Sequence, residues 1–351
     1  MTAQLAQFGD LYEFLPKSRR PASDGRSAGA FPFFTSSQTR TKWVDSASFD
    51  TEAIVFGTGG EASIHHVDGP FDASSDCLVA VPRNRGEFDA RYCYRYLVWN
   101  LPAIENGFRG IGLKHVSKSH LEALEVRLPP LDVQVKNADL LDRVDSLRDQ
   151  RRVVLAHLDN LASSVFLELF GDPIFNPRGW PLERLETFLQ FRTGKLDANA
   201  AVPGGQFPFF TCAQEDLRID TYAFDCEALL LAGNNASANY SVKHYRGKFN
   251  AYQRTYVVTL RDHNNSYQYA RSALERNLGE LKRMSKGTNT KYLTLELLNR
   301  ILIPVPPAEL QREYERRMAA IDRLRADYNA SLERLDMLLA SLQHCFFVDQ
   351  L

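Results

Sequence analysis

The sequence predicts an α/β (α+β) chain in which two tandem mixed α/β domains are separated by two long helices. The helices are expected to pack as an antiparallel coiled coil, with the halves related by a pseudo-two-fold. Three observations carry this. The chain repeats itself at an offset that drifts between 175 and 178 residues. Each copy passes through a Pro-Pro pair into a stretch with apolar residues at heptad spacing. The remainder of each copy is broken into short β-rich runs between turn signals.

The repeat is direct. Phe31-Pro32-Phe33-Phe34-Thr35 recurs as Phe207-Pro208-Phe209-Phe210-Thr211, and Phe49-Asp50-x-Glu52-Ala53 recurs as Phe224-Asp225-x-Glu227-Ala228. Gly69-x-Phe71-x-Ala73 recurs as Gly247-x-Phe249-x-Ala251, and Lys114 matches Lys291. Leu128-Pro129-Pro130-x-x-x-Gln134 matches Val305-Pro306-Pro307-x-x-x-Gln311. Five blocks in one order, at a period too long for a solenoid, mean a duplicated domain; small insertions in surface loops account for the drift. The expected boundaries are a first domain at 1–130, a helix at 131–170, a second domain at 171–305 and a second helix at 306–351.

Proline is tolerated before or in the first turn of a helix, so Pro129-Pro130 and Pro306-Pro307 mark the two starts, and Gly171-Asp172-Pro173 stops the first helix. Val144, Leu147, Val154, Leu158, Leu161 and Val165 fall at a and d positions, as do Ile321, Leu324, Leu335, Leu338 and Leu342 in the same register. Arg151 and Tyr328 interrupt the equivalent a position. A run from 132 to 165 spans about 50 Å at 1.5 Å per residue. The alternative is two separate amphipathic helices, each packed on its own domain.

Within the domains, Ala53-Ile54-Val55-Phe56, Cys77-Leu78-Val79-Ala80-Val81 and Tyr256-Val257-Val258-Thr259-Leu260 read as strands, and Gly57-Thr58-Gly59-Gly60 and Gly233-Asn234-Asn235 as turns. Helices are expected near 88–100 and 266–283. Phe31, Phe33, Phe207 and Phe209, shared by the copies, are assigned to the core.

Hydrophobic residues at 44% and charged residues at 24% fit a globular chain. No uninterrupted run of eighteen apolar residues and no basic, then apolar, leader are seen, so neither a membrane span nor a signal peptide is expected. Five scattered cysteines without a CxxC pair argue against a disulfide framework and a zinc site, and suit a reducing cytoplasm. The net charge of −1 does not favour nucleic acid, but residues 171–305 carry 17 Lys and Arg against 13 Asp and Glu, whereas residues 1–130 carry 14 against 15. A local excess can form a binding stripe or a solvated surface.

Several polar runs could reach DNA. Ser36, Ser37 and Gln38 follow the first FPFFT strand, and Gln214 follows the second; Gln and Asn can pair with adenine in the major groove, which brings in Asn234 and Asn235. Lys282, Arg283, Lys286, Asn289 and Lys291 form the densest basic and polar run, a candidate phosphate clamp, with Arg109, Lys114 and Lys118 as its counterpart. If the copies read different sequences, base contacts belong in the divergent stretches, 36–48 against 212–223 and 60–70 against 236–248, which hold Lys42 and Lys243. Each of these also reads as an ordinary solvated turn.

No catalytic residue and no metal site are assigned. Asp172-Pro173-Ile174-Phe175 lacks the second proline of an adenine-methyltransferase motif, and no phosphate loop or Gly-x-Ser-x-Gly elbow occurs. His65-His66 has no partner at metal spacing. Asp50-x-Glu52 and Asp225-x-Glu227 suggest a nuclease pair, but no Lys follows at the short spacing such enzymes use, and structural capping is the preferred reading.

The duplicated architecture, the Pro-Pro-x-x-x-Gln lead-in to each helix, and the linking segment from Leu169-Phe170-Gly171-Asp172-Pro173 to Asn176-Pro177-Arg178-Gly179-Trp180-Pro181-Leu182 resemble the specificity subunit of type I restriction-modification systems. The resemblance implies a non-catalytic, cytoplasmic DNA-binding subunit whose two target-recognition domains each read half of a bipartite duplex target. The helices would set the spacing and dock two adenine-methyltransferase (modification) subunits, with a translocase/nuclease (restriction) subunit joining them. It implies no cofactor on this chain, S-adenosylmethionine, ATP and Mg being held by the partners, and no membrane. The alternatives are a stand-alone Mg-dependent nuclease and a protein-interaction scaffold that does not touch DNA.

Overall fold

The computed structural model describes residues 4–110, 114–213, 215, 217–233, 242–284 and 293–349. The chain divides into two compact units: Met1–Arg152 with Ala330–Leu351, and Val153–Asn329. Each unit contains one mixed α/β domain and a portion of both long helices.

In the first unit, Tyr12–Phe14, Cys77–Pro82, Ala53–Gly57 and Ser63–Val67 form an antiparallel sheet in that order. A second sheet runs Lys42–Val44, Phe31–Phe34, Pro70–Ala73, Phe49–Asp50, with the FPFF strand parallel to Pro70–Ala73. In the second unit the same pieces fuse into six strands, ordered Leu189–Thr193, Thr255–Leu260, Phe224–Ala232, Val242–Ala251, Phe207–Phe210, Leu217–Ile219. The difference is local. Thr51-Glu52 and Asp68-Gly69 carry no ladder pairing in the first unit, whereas Cys226 and Glu227 pair with Gly247 and Arg246 at the matching positions of the second. The bend itself is kept in both copies: Gly69 and Gly247 have φ of 109° and 135°, open to glycine alone.

The expected helices appear as Ala90–Trp99, burying Tyr92, Cys93, Tyr96 and Leu97, and Tyr267–Met284, burying Tyr269, Ala270, Ala273, Leu274 and Leu278. The repeated glutamine explains its own motif. Gln134, 2% exposed, accepts from the Asp89 backbone N–H at 2.9 Å and donates to the Pro129 carbonyl at 2.7 Å. Gln311, 0% exposed, accepts from the Ser266 N–H at 2.9 Å and donates to the Pro306 carbonyl at 2.9 Å and to Asn265 Oδ1 at 2.8 Å. In each unit one amide therefore ties the Pro-Pro break to the residue that begins the domain helix.

The long helices run Leu131–Phe170 and Ala308–His344. Gly171, at φ 76°, provides the left-handed stop. Within the first unit Arg148 Nε donates to Asp336 Oδ1 at 2.7 Å and Arg151 Nε to Ser331 Oγ at 3.3 Å. Within the second, Arg325 donates to Asp159 at 2.8 Å and Arg317 to Glu168 at 3.5 Å. In both, partner numbers fall as residue numbers rise, so the segments are antiparallel. Shifting Arg148 and Asp336 by the repeat offset yields Arg325 and Asp159, so each unit carries the same lock.

The seam departs from the expected a/d pattern. Val144, Leu158, Val165 and Ile321 are buried, but Leu147, Leu161, Leu324 and Leu338 are exposed. The second seam position lies four residues after the first, at Arg148, Leu155, Ala162 and Leu169 and at Arg325 and Leu339, which are half-buried. The domain helix in each unit claims part of the apolar stripe and rotates it. Eighteen residues of Leu131–Phe170 are long and apolar enough to cross a membrane by length and composition, which a search for an unbroken apolar run passes over. In the second unit Leu158, Val165, Phe166 and Phe170 of this helix lie in the hydrophobic core.

Two further expectations are corrected. Phe33, Phe34, Phe209 and Phe210 are buried, whereas Phe31 and Phe207 are half-buried: burial follows position along the strand and not its alternation, since Phe31 shares a face with Phe33 and Phe207 with Phe209. Glu52 does not cap: it is hydrogen-bonded to His66 Nε2 at 3.0 Å across the ladder, as Glu227 is to His244 at 2.9 Å. That hydrogen bond, more than the nearby charges, holds the Glu52 carboxyl below its ordinary 4.5, against an opposing contribution from burial.

Candidate nucleic-acid interface

In the first unit the residues after the FPFF strand fold back on the turn at Thr58. Ser36 Oγ donates to the Asp76 carbonyl at 2.7 Å and accepts from Thr58 N–H at 3.1 Å. Thr58 N–H also donates to the Asp76 carbonyl at 2.8 Å, and Val116 N–H to the Thr58 carbonyl at 3.1 Å. Gly60 N–H reaches the Lys114 carbonyl at 3.3 Å, and Arg109 pairs with His115 in a short ladder. His65 Nε2 is hydrogen-bonded to the Ser37 carbonyl at 2.8 Å; burial pushes its pKa down, which favours the neutral ring. Four predicted residues, Ser36, Ser37, Arg109 and Lys114, thus meet at one junction. Gln38, Arg109 and Lys114 are exposed there.

The second unit builds the same junction with different side chains. Gly233 N–H donates to the Arg254 carbonyl at 2.8 Å, and Leu293 N–H to the Gly233 carbonyl at 2.9 Å. Cys212 Sγ takes the place of Ser36, donating to the Arg254 carbonyl at 3.7 Å. Lys243 Nζ donates to the Ala213 carbonyl at 3.3 Å, and Tyr256 Oη to the Leu293 carbonyl at 2.9 Å. Gln214, Asn234, Asn235, Lys286, Asn289 and Lys291 lie outside the described residues. Their described neighbours, Ala213, Gly233 and Leu293, belong to this junction. Lys282 and Arg283 fall in the last turn of Tyr267–Met284.

Other assignments change character. Ser36 is committed to the protein, so its hydroxyl builds the junction. Lys42 Nζ donates to the Ala22 carbonyl at 2.8 Å, and Lys118 pairs with Glu122 at 3.4 Å beneath the Phe14 ring, so contacts away from the junction hold both. Sequence reading missed Asp76 and Arg254, whose carbonyls organise the junctions. Backbone acceptors leave no residue-type signature, and only the shared offset between Ala73 and Ala251 could have aligned them. Their exposed side chains reverse the charge at matching positions.

Two copies of one mixed α/β unit, each ending in the same three-segment junction with divergent surface residues, define a tandem specificity protein. The chain belongs to the type I restriction modification DNA specificity domain family, which it matches over residues 3–155 and 177–334. It is 36% identical over 163 residues to the type I restriction enzyme EcoDI specificity subunit of Escherichia coli, a match covering 46% of this chain and about a third (35%) of that protein. Its fold is similar to a type I restriction-modification S subunit from M. genitalium, with 17% identity, TM-score 0.75, and coverage of 99% of this chain and 96% of that one. A chain from a type I R-M complex studied for its assembly and conformational transition gives 16% identity, TM-score 0.52, and coverage of 100% and 98%.

Proposed function

We propose that this chain binds double-stranded DNA bearing a bipartite target, each junction reading one half in the major groove. The long helices set the gap between the halves and, with the framework around them, dock two adenine-methyltransferase subunits; a translocase/nuclease subunit joins that assembly. The chain itself is non-catalytic and cytoplasmic, and S-adenosylmethionine, ATP and Mg belong to the partners. The observation that carries this reading is the junction built twice from equivalent backbone hydrogen bonds while the side chains around it differ, Ser36 against Cys212 and Asp76 against Arg254. A constant frame with variable contents suits two readers of different sequences. Glu52 and Glu227, each tied to a histidine, are structural braces under this reading.

The test is duplex binding across a salt series. A DNA reader loses affinity steeply as salt rises, through counterion release. Replacing Lys286 and Lys291 with Ala should weaken binding to all sequences alike and flatten the salt slope by about one unit per phosphate contact. Salt-independent binding, or none, defeats the proposal; an altered preferred sequence means these lysines read bases.

A further inference from the structure

The two units differ at one buried spot. In the first, Arg20 inserts its guanidinium beside Asp72, which is 0% exposed, pairing with the carboxylate at 3.1 Å. It also donates to the Ser46 carbonyl at 3.3 Å and Oγ at 2.9 Å. Ser75 N–H donates to the Arg20 carbonyl at 2.8 Å. In the second unit the matching bond runs from Gln253 N–H to the Leu196 carbonyl at 2.9 Å, so Leu196 stands where Arg20 stood. Asn250 stands for Asp72: its Oδ1 accepts from Ala251 N–H at 3.0 Å, as Asp72 Oδ1 accepts from Ala73 N–H at 2.7 Å. Thr221 stands for Ser46, and its carbonyl receives Asn250 Nδ2 at 3.4 Å. Both members of the ion pair are changed together, to a hydrocarbon and a neutral amide.

In the first unit the Arg20 guanidinium forms a wall of an open pocket of about 500 Å³ with Ser46 and Asp24; with Leu196 in its place, the second has an open pocket of about 630 Å³ that reaches Asn250, lined by residues that include Arg192, Lys195, Leu196, Phe224 and Asn250. That size lies in the range of small-molecule sites. Its walls are specific. Phe224, held flat against Phe249 at 5.2 Å and 15°, and Leu196 supply an apolar face. The Arg192 guanidinium lies 5.7 Å over the Phe224 ring. Lys195 and Arg192 are exposed, and Asn250, 4% exposed, lines the pocket with an amide oxygen that takes one bond from the Ala251 N–H and has the capacity for a second. The two cations disfavour a cationic guest, and a bare anion has no use for the aromatic wall. A flat heteroaromatic ring bearing a donor edge and an anionic group satisfies every wall.

We propose that the second unit holds a single nucleotide here: the base against Phe224 and Arg192 with its edge at Asn250, the phosphate at Lys195. The nucleotide is either free or displaced from a DNA strand. The turn Tyr252–Arg254 borders both places, since Gln253 bonds Leu196 and Arg254 carries the junction.

The probe is 2-aminopurine riboside 5′-monophosphate, titrated by fluorescence into the full chain, with a 2-aminopurine-containing single strand and duplex in parallel. Saturable binding is expected, weakened about tenfold by Arg192→Ala or Lys195→Ala, each removing one charge-assisted contact. Leu196→Arg with Asn250→Asp rebuilds the first unit's pair, closes the pocket's reach to position 250 and should abolish binding. Lys195→Ala, at an exposed position, keeps the test decisive if the double variant does not fold. Binding of the monophosphate marks a free-nucleotide site; a response confined to the oligonucleotides and lost in the same variants marks a strand nucleotide. Absence of saturable binding to any probe, or equal binding by wild type and the variants, overturns the proposal, whatever the outcome of duplex binding by other assays.

Discussion

Removing the buried amide of Gln311 tests how the second unit is held together. Gln311→Ala leaves the Ser266 N–H, the Pro306 carbonyl and Asn265 Oδ1 without the partners they have at 2.8–2.9 Å. An unsatisfied buried polar group costs about 1–3 kcal/mol. Ser266 is 5% exposed and pays in full, while Asn265 is more accessible and finds water. The expected loss is about 3 kcal/mol, concentrated at the start of Tyr267–Met284, where the Ser266 N–H is one of the helix's uncompensated donors. Because a chain of two units need not unfold in one step, hydrogen–deuterium exchange is a better assay than a single melting curve. Amides over 268–278 should lose about a hundredfold in protection, since 1.4 kcal/mol is tenfold. Those of Ala90–Trp99, tied to Gln134, should not change. Protection within twofold of wild type over 268–278 refutes the tie, and equal losses in both domain helices refute its local character.

Three other outcomes are expected. Glu52 titrates below its ordinary 4.5 because of its bond with His66, so that stabilisation is present above 4.5 and disappears as pH falls through the lower folded value; Glu52→Gln should flatten acid destabilisation of the first unit below pH 4.5, read by circular dichroism, and an unchanged acid limb counts against the brace. Arg148→Ala and Asp336→Ala should couple by about 1 kcal/mol or less in a double-mutant cycle, as should Arg325→Ala and Asp159→Ala, because these pairs are partly exposed; the matched lock is wrong if one cycle couples strongly and the other not at all. Deleting a heptad from 144–165 and the matching one from 321–342 removes about 10 Å of helix, roughly three base pairs at 3.4 Å each. The preferred gap in a selection experiment should shorten with both half-sequences kept, and loss of one half-sequence at constant gap speaks against a ruler.

Much of this was legible in the residues because duplication provides its own control. The FPFF strands, the Pro-Pro breaks and the paired glutamines were visible twice, and repeated signals with one physical reading rarely mislead. The seam was half legible. Val144 and Ile321 face inward as expected, but Leu147 and Leu324 do not, because a heptad pattern cannot say that a third helix competes for the stripe. The junctions were legible only as neighbourhoods. Ser36 carries the right residue type for reading a base and spends it on the Asp76 carbonyl, since no single sequence shows which hydroxyls are already engaged. Asp76 and Arg254 were invisible because they act through their backbone oxygens.

The π-helical turn Cys345–Asp349 sets Phe347, 3% exposed, among Tyr92, Tyr96 and Trp99, with ring centroids 5.4–5.6 Å away. The aromatic plug of the first domain is therefore made only after the whole of Val153–Asn329. Val153–Asn329 is contiguous and can mature as it emerges, whereas its upstream counterpart must wait, open at that aromatic site, until Phe347 has been made. A chain interrupted before Phe347 would leave Tyr92, Tyr96 and Trp99 without that cover.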